Sequence, residues 1–153
     1  MGKAAMFTSA TLDIMDTMVS FLLEPVIIAL LALIALAIWE TGLALGERTG
    51  GLRRMVEKGA EEQLAALARK RIDRADLIAR IGPMMGLMGT LIPLGPGLAA
   101  LGRGELDVLA QAVTVAFNTT VLGLLAGIIG FLLGRFRRRW YDGAMAELEE
   151  AQP

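Results

Sequence analysis

The chain has 153 residues, 55% of them hydrophobic and only 5% aromatic, and it contains neither cysteine nor histidine. No disulfide framework or thiolate metal site can be built, and the usual general base, metal ligand and near-neutral pH switch are missing together, so a conventional hydrolase or metalloenzyme is not expected. The net charge of −1 hides a segregation, because charges crowd into residues 47–80 and 135–150; lipid solvates such a chain in some stretches and water in others.

Residues 1–18 read as a short amphipathic helix on the outer membrane surface, with Met6, Ala10, Ile14 and Met18 on one face. They do not read as a cleaved signal peptide, since Lys3 is followed by Asp13 and Asp16. Residues 19–46 form the first predicted span around the uninterrupted run Pro25–Trp39. That run is shorter than the roughly 20 residues a hydrocarbon layer demands. Flanking apolar residues complete it and leave Glu24 and Glu40 at the two ends, where solvated caps explain them. Residues 47–80 are expected in the cytoplasm, with breaks at Gly50-Gly51 and Gly59 and a helix over 61–80.

The second span, 81–101, has no charge but three prolines and five glycines. A soluble helix would not survive that composition, whereas neighbouring helices in a membrane bundle can satisfy the freed backbone groups. Pro93 and Pro96 are expected to kink its outer end. After an outer turn at 102–108, the third span covers 109–134, with Gln111, Asn118, Thr119 and Thr120 as polar interruptions. A cytoplasmic C-terminal helix follows over 135–153. Nine Lys/Arg residues from Arg48 to Arg80 and the cluster Arg135, Arg137, Arg138 and Arg139 lie on one side, against Lys3 and Arg103 on the other. The positive-inside rule then puts the N-terminus outside and the C-terminus in the cytoplasm. Basic clusters bordering spans need no nucleic acid to explain them. The fold class is an all-α membrane protein.

Two stripes of small residues run along the second and third spans. Ala116, Thr120, Gly123, Gly127, Gly130 and Gly134 follow one another at alternating four- and three-residue steps, as do Pro83, Gly86, Thr90, Pro93 and Gly97. Such steps keep to one helix face. Close backbone approach is what membrane helices gain from small residues, so both faces are expected against protein. Each stripe holds one threonine. A membrane threonine can simply bond its own i−4 carbonyl. Two on facing stripes at similar depth suggest more. Asn118 and Thr119 point a quarter turn or more away from Thr120 and are expected to bond a neighbouring helix or subunit.

Gly82-Pro83 through Gly86-Leu87-Met88-Gly89-Thr90-Leu91, and Thr120-Val121-Leu122-Gly123-Leu124, resemble the second- and third-helix motifs of the MotA/TolQ/ExbB proton-channel family. The resemblance covers residues 75–140 by motif and the remainder by topology. It implies a homo-oligomeric ring, a pentamer, around a dimer of a single-span ExbD/TolR-like partner bearing an essential aspartate. It also implies a multi-pass location in the inner or plasma membrane. Thr90 and Thr120 would line the proton path, and Gly86, Gly97, Gly123, Gly127 and Gly130 would pack helices. No cofactor or metal is expected, only transported H+ in preference to Na+. Family members often carry a glutamate where this chain has Val115, and their cytoplasmic loop is longer.

The residues agree with one part of that picture. Neither 81–101 nor 109–134 holds an ionisable side chain, and hydroxyls cannot store a proton's charge at neutral pH. A titrating group must come from another polypeptide, or the chain moves no protons. The alternative is a non-conducting membrane scaffold or interaction protein. An enzyme is not expected, because the carboxylates are scattered over helix ends and form no constellation.

Overall fold

The computed structural model describes the backbone of residues 2–46 and 61–150 and the side chains of residues 14–15, 17–46 and 65–146. Three helices make up nearly all of it: α1 (Gly2–Gly46), α2 (Glu61–Gly102) and α3 (Leu106–Glu150). No strand occurs among the described residues. Each helix contains a stretch long and apolar enough to cross a membrane, at Thr17–Gly46, Ala65–Gly102 and Leu106–Ala146. In hydrocarbon every backbone group must be bonded internally, which an unbroken helix achieves. The all-α, three-span class expected from the sequence is therefore the observed one.

The helices ignore the limits of the spans. α1 runs without a break through residues 18 and 19, where a surface helix was expected to give way to a span. α2 carries the helix expected over 61–80 directly into the second span and continues past Pro83, Pro93 and Pro96. α3 extends through the arginine cluster to Glu150. The glycine breaks expected at 50–51 and 59, and the side chains of Met6 and Ala10, lie outside the described residues.

The turn between α2 and α3 follows from two residues. Gly104 adopts φ +79°, a conformation that costs glycine no Cβ clash. Its N–H bonds Leu101 O at 3.0 Å while Glu105 N–H bonds Ala100 O at 3.0 Å, the Schellman pattern that satisfies a helix's last carbonyls.

By contacts the chain divides into two units, one of Met1–Leu31 with Met84–Gly123 and one of Ala32–Pro83 with Leu124–Pro153. In the first, Val26 and Leu30 of α1, Ile92 and Ala100 of α2 and Ala116 of α3 are buried. In the second, Ala37, Ile78 and Ala126 form one apolar cluster and Ala44, Ala75 and Leu133 another. Small side chains dominate both interiors. Large apolar residues such as Phe21, Leu91, Phe117 and Phe131 face outward, the inverse of a water-soluble bundle and what a lipid solvent permits.

Candidate functional site: a hydroxyl pair in a small-residue seam

Within the first unit the two stripes meet. A Cβ placed on Gly86 would stand 3.1 Å from Gly123 Cα and 3.1 Å from Thr119 O, and one on Gly97 would stand 2.7 Å from Ala112 Cβ. The glycines thus let α2 and α3 touch backbone to backbone. In the second unit α2 and α3 are equally close: a Cβ on Gly127 would fall 2.7 Å from Pro83 Cγ, and one on Gly130 would fall 2.5 Å from Ala79 N. Gly86, Gly123, Gly127 and Gly130, read as packing positions, are all buried.

This close approach brings Thr90 and Thr120 together. Their hydroxyls hydrogen-bond each other. Thr90 Oγ1 also lies 3.0 Å from Gly86 O and 3.4 Å from Ala116 O, and Thr120 Oγ1 lies 2.9 Å from Ala116 O. Two hydroxyl protons therefore face more acceptors than they can serve, since each hydroxyl donates once and accepts twice. In one arrangement Thr90 donates to Thr120, which donates to Ala116 O. In the other Thr120 donates to Thr90, which donates to Gly86 O. Rotation of two C–O bonds converts one into the other and reverses the local dipole. Both threonines are half-buried, which leaves an approach for water or an acid.

The other polar positions of α3 separate. Thr119, expected to reach a neighbour, is buried within the chain; a Cβ on Gly89 would fall 2.6 Å from its own Cβ. Its hydroxyl turns back to Val115 O at 2.9 Å and Ala116 O at 3.0 Å. Thr119 is a packing residue that Gly89 makes room for. Asn118 is exposed. Gly97 and Gly89 extend the seam, and Val115, where relatives often have glutamate, is half-buried.

The second unit holds a cluster that the sequence reading missed. Glu40, expected as a solvated cap, is fully buried with Arg137. Arg137 Nη1 donates to Glu40 Oε2 at 2.7 Å and to Arg71 O at 3.1 Å, while its Nη2 donates to Glu40 O at 3.2 Å. Arg74 Nη1 reaches Glu40 Oε1 at 3.3 Å. One guanidinium thereby ties all three helices. A charge fully removed from solvent needs such a partner, and length alone could not reveal it. A signal did exist: the stripe Gly123, Gly127, Gly130, Gly134 reaches Arg137 at its next three-residue step. Nearby, Arg138 Nη2 bonds Asp76 Oδ2 at 2.5 Å on the outside of the seam.

With this geometry in hand, comparison with known proteins gives a consistent answer. The family model described as the MotA/TolQ/ExbB proton channel family matches residues 26–150. The chain belongs to this family. Among curated proteins it is similar to biopolymer transport protein exbB1 of Vibrio cholerae, with 39% identity over 77 residues, covering 48% of this chain and 34% of that one. The chain thus spans about a third of that relative's length. No solved structure gives a significant match. The matched region begins at Val26, inside α1, and ends with α3, so it contains the seam, the hydroxyl pair and the Glu40–Arg137 tie of this family member. Membrane helices and channel-family membership together make it a membrane protein of the transport kind.

Proposed function

We propose that this chain is the ring subunit of a motor driven by the proton motive force. It would work with a single-span, aspartate-bearing subunit of the ExbD/TolR kind to energise another process, and biopolymer transport, for which its Vibrio relative is named, is the natural candidate. The ring is a pentamer by family resemblance, sits in the inner or plasma membrane, and carries protons.

One observation supports this reading above the rest. The α2–α3 seam contains a hydroxyl–hydroxyl contact, Thr90 with Thr120, within two stretches, 81–101 and 109–134, that hold no ionisable side chain. Acids within a membrane are costly and tend to be functional, so a path that lacks its own acid must borrow one. A partner carboxyl suits the pair in both protonation states. As a neutral acid it donates to a free hydroxyl lone pair; as a carboxylate it accepts from whichever threonine turns its O–H away from a backbone carbonyl. The pair can thus follow a proton's arrival and departure without moving the helices.

The test is Thr90→Val and Thr120→Val beside Thr90→Ser and Thr120→Ser, each co-expressed with a single-span, aspartate-bearing subunit of the ExbD/TolR kind. We expect the valine variants to assemble normally, by native mass in mild detergent, while proton flux in vesicles falls at least tenfold and the serine variants retain it. Replacing Na+ by K+ leaves the flux unchanged. Full flux in both valine variants would return the threonines to simple i−4 bonding, as in a non-conducting scaffold.

A further inference from the structure

We infer that the groove between α1 and α3 is a binding site for an anionic phospholipid, with an acyl chain in the groove and the headgroup phosphate beside Arg139 and Trp140. The site stands apart from the hydroxyl pair and does not depend on whether protons pass.

The groove belongs wholly to the second unit. Ala44 and Leu45 of α1 form one wall and Leu132, Phe136 and Trp140 of α3 the other, around a volume of about 320 Å³. That is the size of a small-molecule site. The Phe136 and Trp140 rings are stacked, with centroids 6.1 Å apart. Thr41 also lines the groove, but its hydroxyl donates to Ala37 O at 2.7 Å, so the walls offer an occupant little besides hydrocarbon. Leu45, Leu132 and Phe136 remain exposed; the unit's own packing leaves the groove open. From Ile129 to Trp140 the α3 wall is about 16 Å long at 1.5 Å per residue. It begins in the uncharged stretch 109–134 and ends among the arginines.

Charge at that end says what the occupant carries. Arg137 and Arg74 pair with Glu40, and Arg138 pairs with Asp76. Arg135 and Arg139 are exposed, and neither is in an ion pair among the described residues, Asp142 included. Arg139 follows the groove residue Leu132 by seven positions, which returns to nearly the same line of a helix, within about 20°. Arg135 lies one turn before Arg139. The Trp140 indole N–H, which can only donate, has no acceptor among the described residues. Gly143 comes one turn after Arg139 and Trp140, and a Cβ there would meet nothing within 4 Å. The charged end of the groove is therefore open.

Two guanidinium groups without a counter-ion and an indole donor stand at the foot of a hydrocarbon slot. They suit a molecule that is apolar along most of its length and anionic at one end. A phospholipid has that form. Guanidinium donors match phosphate oxygens, and basic pockets between membrane helices hold anionic headgroups. One phosphate charge answers one arginine; the second arginine, with no carboxylate to meet it, favours a lipid with net negative charge over a zwitterionic one.

The chain has two tryptophans, so Trp39→Phe leaves Trp140 as a reporter inside the groove. This protein is placed in phosphatidylcholine vesicles containing rising fractions of phosphatidylglycerol or phosphatidylcholine with brominated chains, which quench an indole on contact. We expect half-quenching at about a tenfold lower fraction of phosphatidylglycerol, given what each surface arginine adds to anionic-lipid binding. Arg135→Gln with Arg139→Gln should abolish the preference and keep the contact. Arg138→Gln, which removes a charge from the other side of α3, should retain the preference, and native mass checks that all three proteins assemble alike. Equal fractions for the two lipids would make the contact ordinary solvation by the bilayer and overturn the inference. Absence of quenching by either lipid would show the groove covered by protein, with the same consequence. A preference that survives the double substitution, or that Arg138→Gln also removes, would overturn the assignment to these two arginines.

Discussion

At the scale of single residues, glycine and threonine divide the labour of the seam. Glycine controls distance. A Cβ on Gly130 would press on Ala79 N at 2.5 Å and Ala75 O at 2.8 Å, which are backbone atoms that cannot rotate aside, whereas Gly42 has nothing within 4 Å of the same position. Gly130→Ala must therefore separate α2 from α3, and we expect it to lower stability by about 1–3 kcal/mol, the usual range for overpacking. Gly42→Ala relieves a flexible helical position and should be neutral or stabilising by up to about 1 kcal/mol. Unfolding of both variants in mixed micelles measures the difference. Equal effects would mean that the seam is not as tight as its backbone distances state. The threonines, by contrast, add donors where the glycines have created contact, which is why a valine of nearly the same shape is the informative replacement there.

At the scale of elements, α1 is joined to the other two helices through the buried pair Glu40–Arg137. Breaking a buried pair from one side strands a charge and typically costs about 3–5 kcal/mol, while an apolar pair of similar volume is often neutral. Glu40→Gln or Arg137→Met should therefore destabilise strongly, and Glu40→Met with Arg137→Met should recover most of the loss; additive losses would show that the two residues act separately. The α2–α3 turn is weaker. Gly104→Ala should cost about 1 kcal/mol for its left-handed backbone. The Arg103 guanidinium, through its hydrogen bond first and its charge second, holds the Glu105 carboxyl below the usual range. Any stability from this pair is present above the ordinary glutamate range and fades as pH falls through the lowered value. Both groups are exposed, so Glu105→Gln should leave the melting temperature unchanged at neutral pH. The sequence made the spans, the hairpin and the hydroxyl pair legible, because periodicity and small-residue spacing are local properties of one helix. It hid the state of Glu40, because a carboxylate near a span end looks the same whether it meets headgroups or an arginine almost a hundred residues away. It also misdirected Thr119, whose environment depends on Gly89 across the seam rather than on its own helix.

At the scale of the whole molecule, orientation decides which face would supply protons under the proposed function. The arginine cluster after the third span is not uniform: Arg137 is buried in the three-helix tie, while Arg135, Arg138 and Arg139 are exposed. All four, with the basic residues of 48–80, outnumber Lys3 and Arg103 on the opposite side. Lys/Arg bias near span ends governs insertion, and this one predicts the α2–α3 turn outside and the end of α3 in the cytoplasm. A thiol-free chain makes the prediction direct. Glu105→Cys should react with a membrane-impermeant maleimide added to cells whose outer barrier is opened, and Asp142→Cys only after the inner membrane is breached. The reverse pattern would overturn the predicted orientation. Reaction of both from one side would contradict an unbroken α3 crossing the bilayer, since about 55 Å of helix separates those positions, far more than a hydrocarbon layer of ~30 Å.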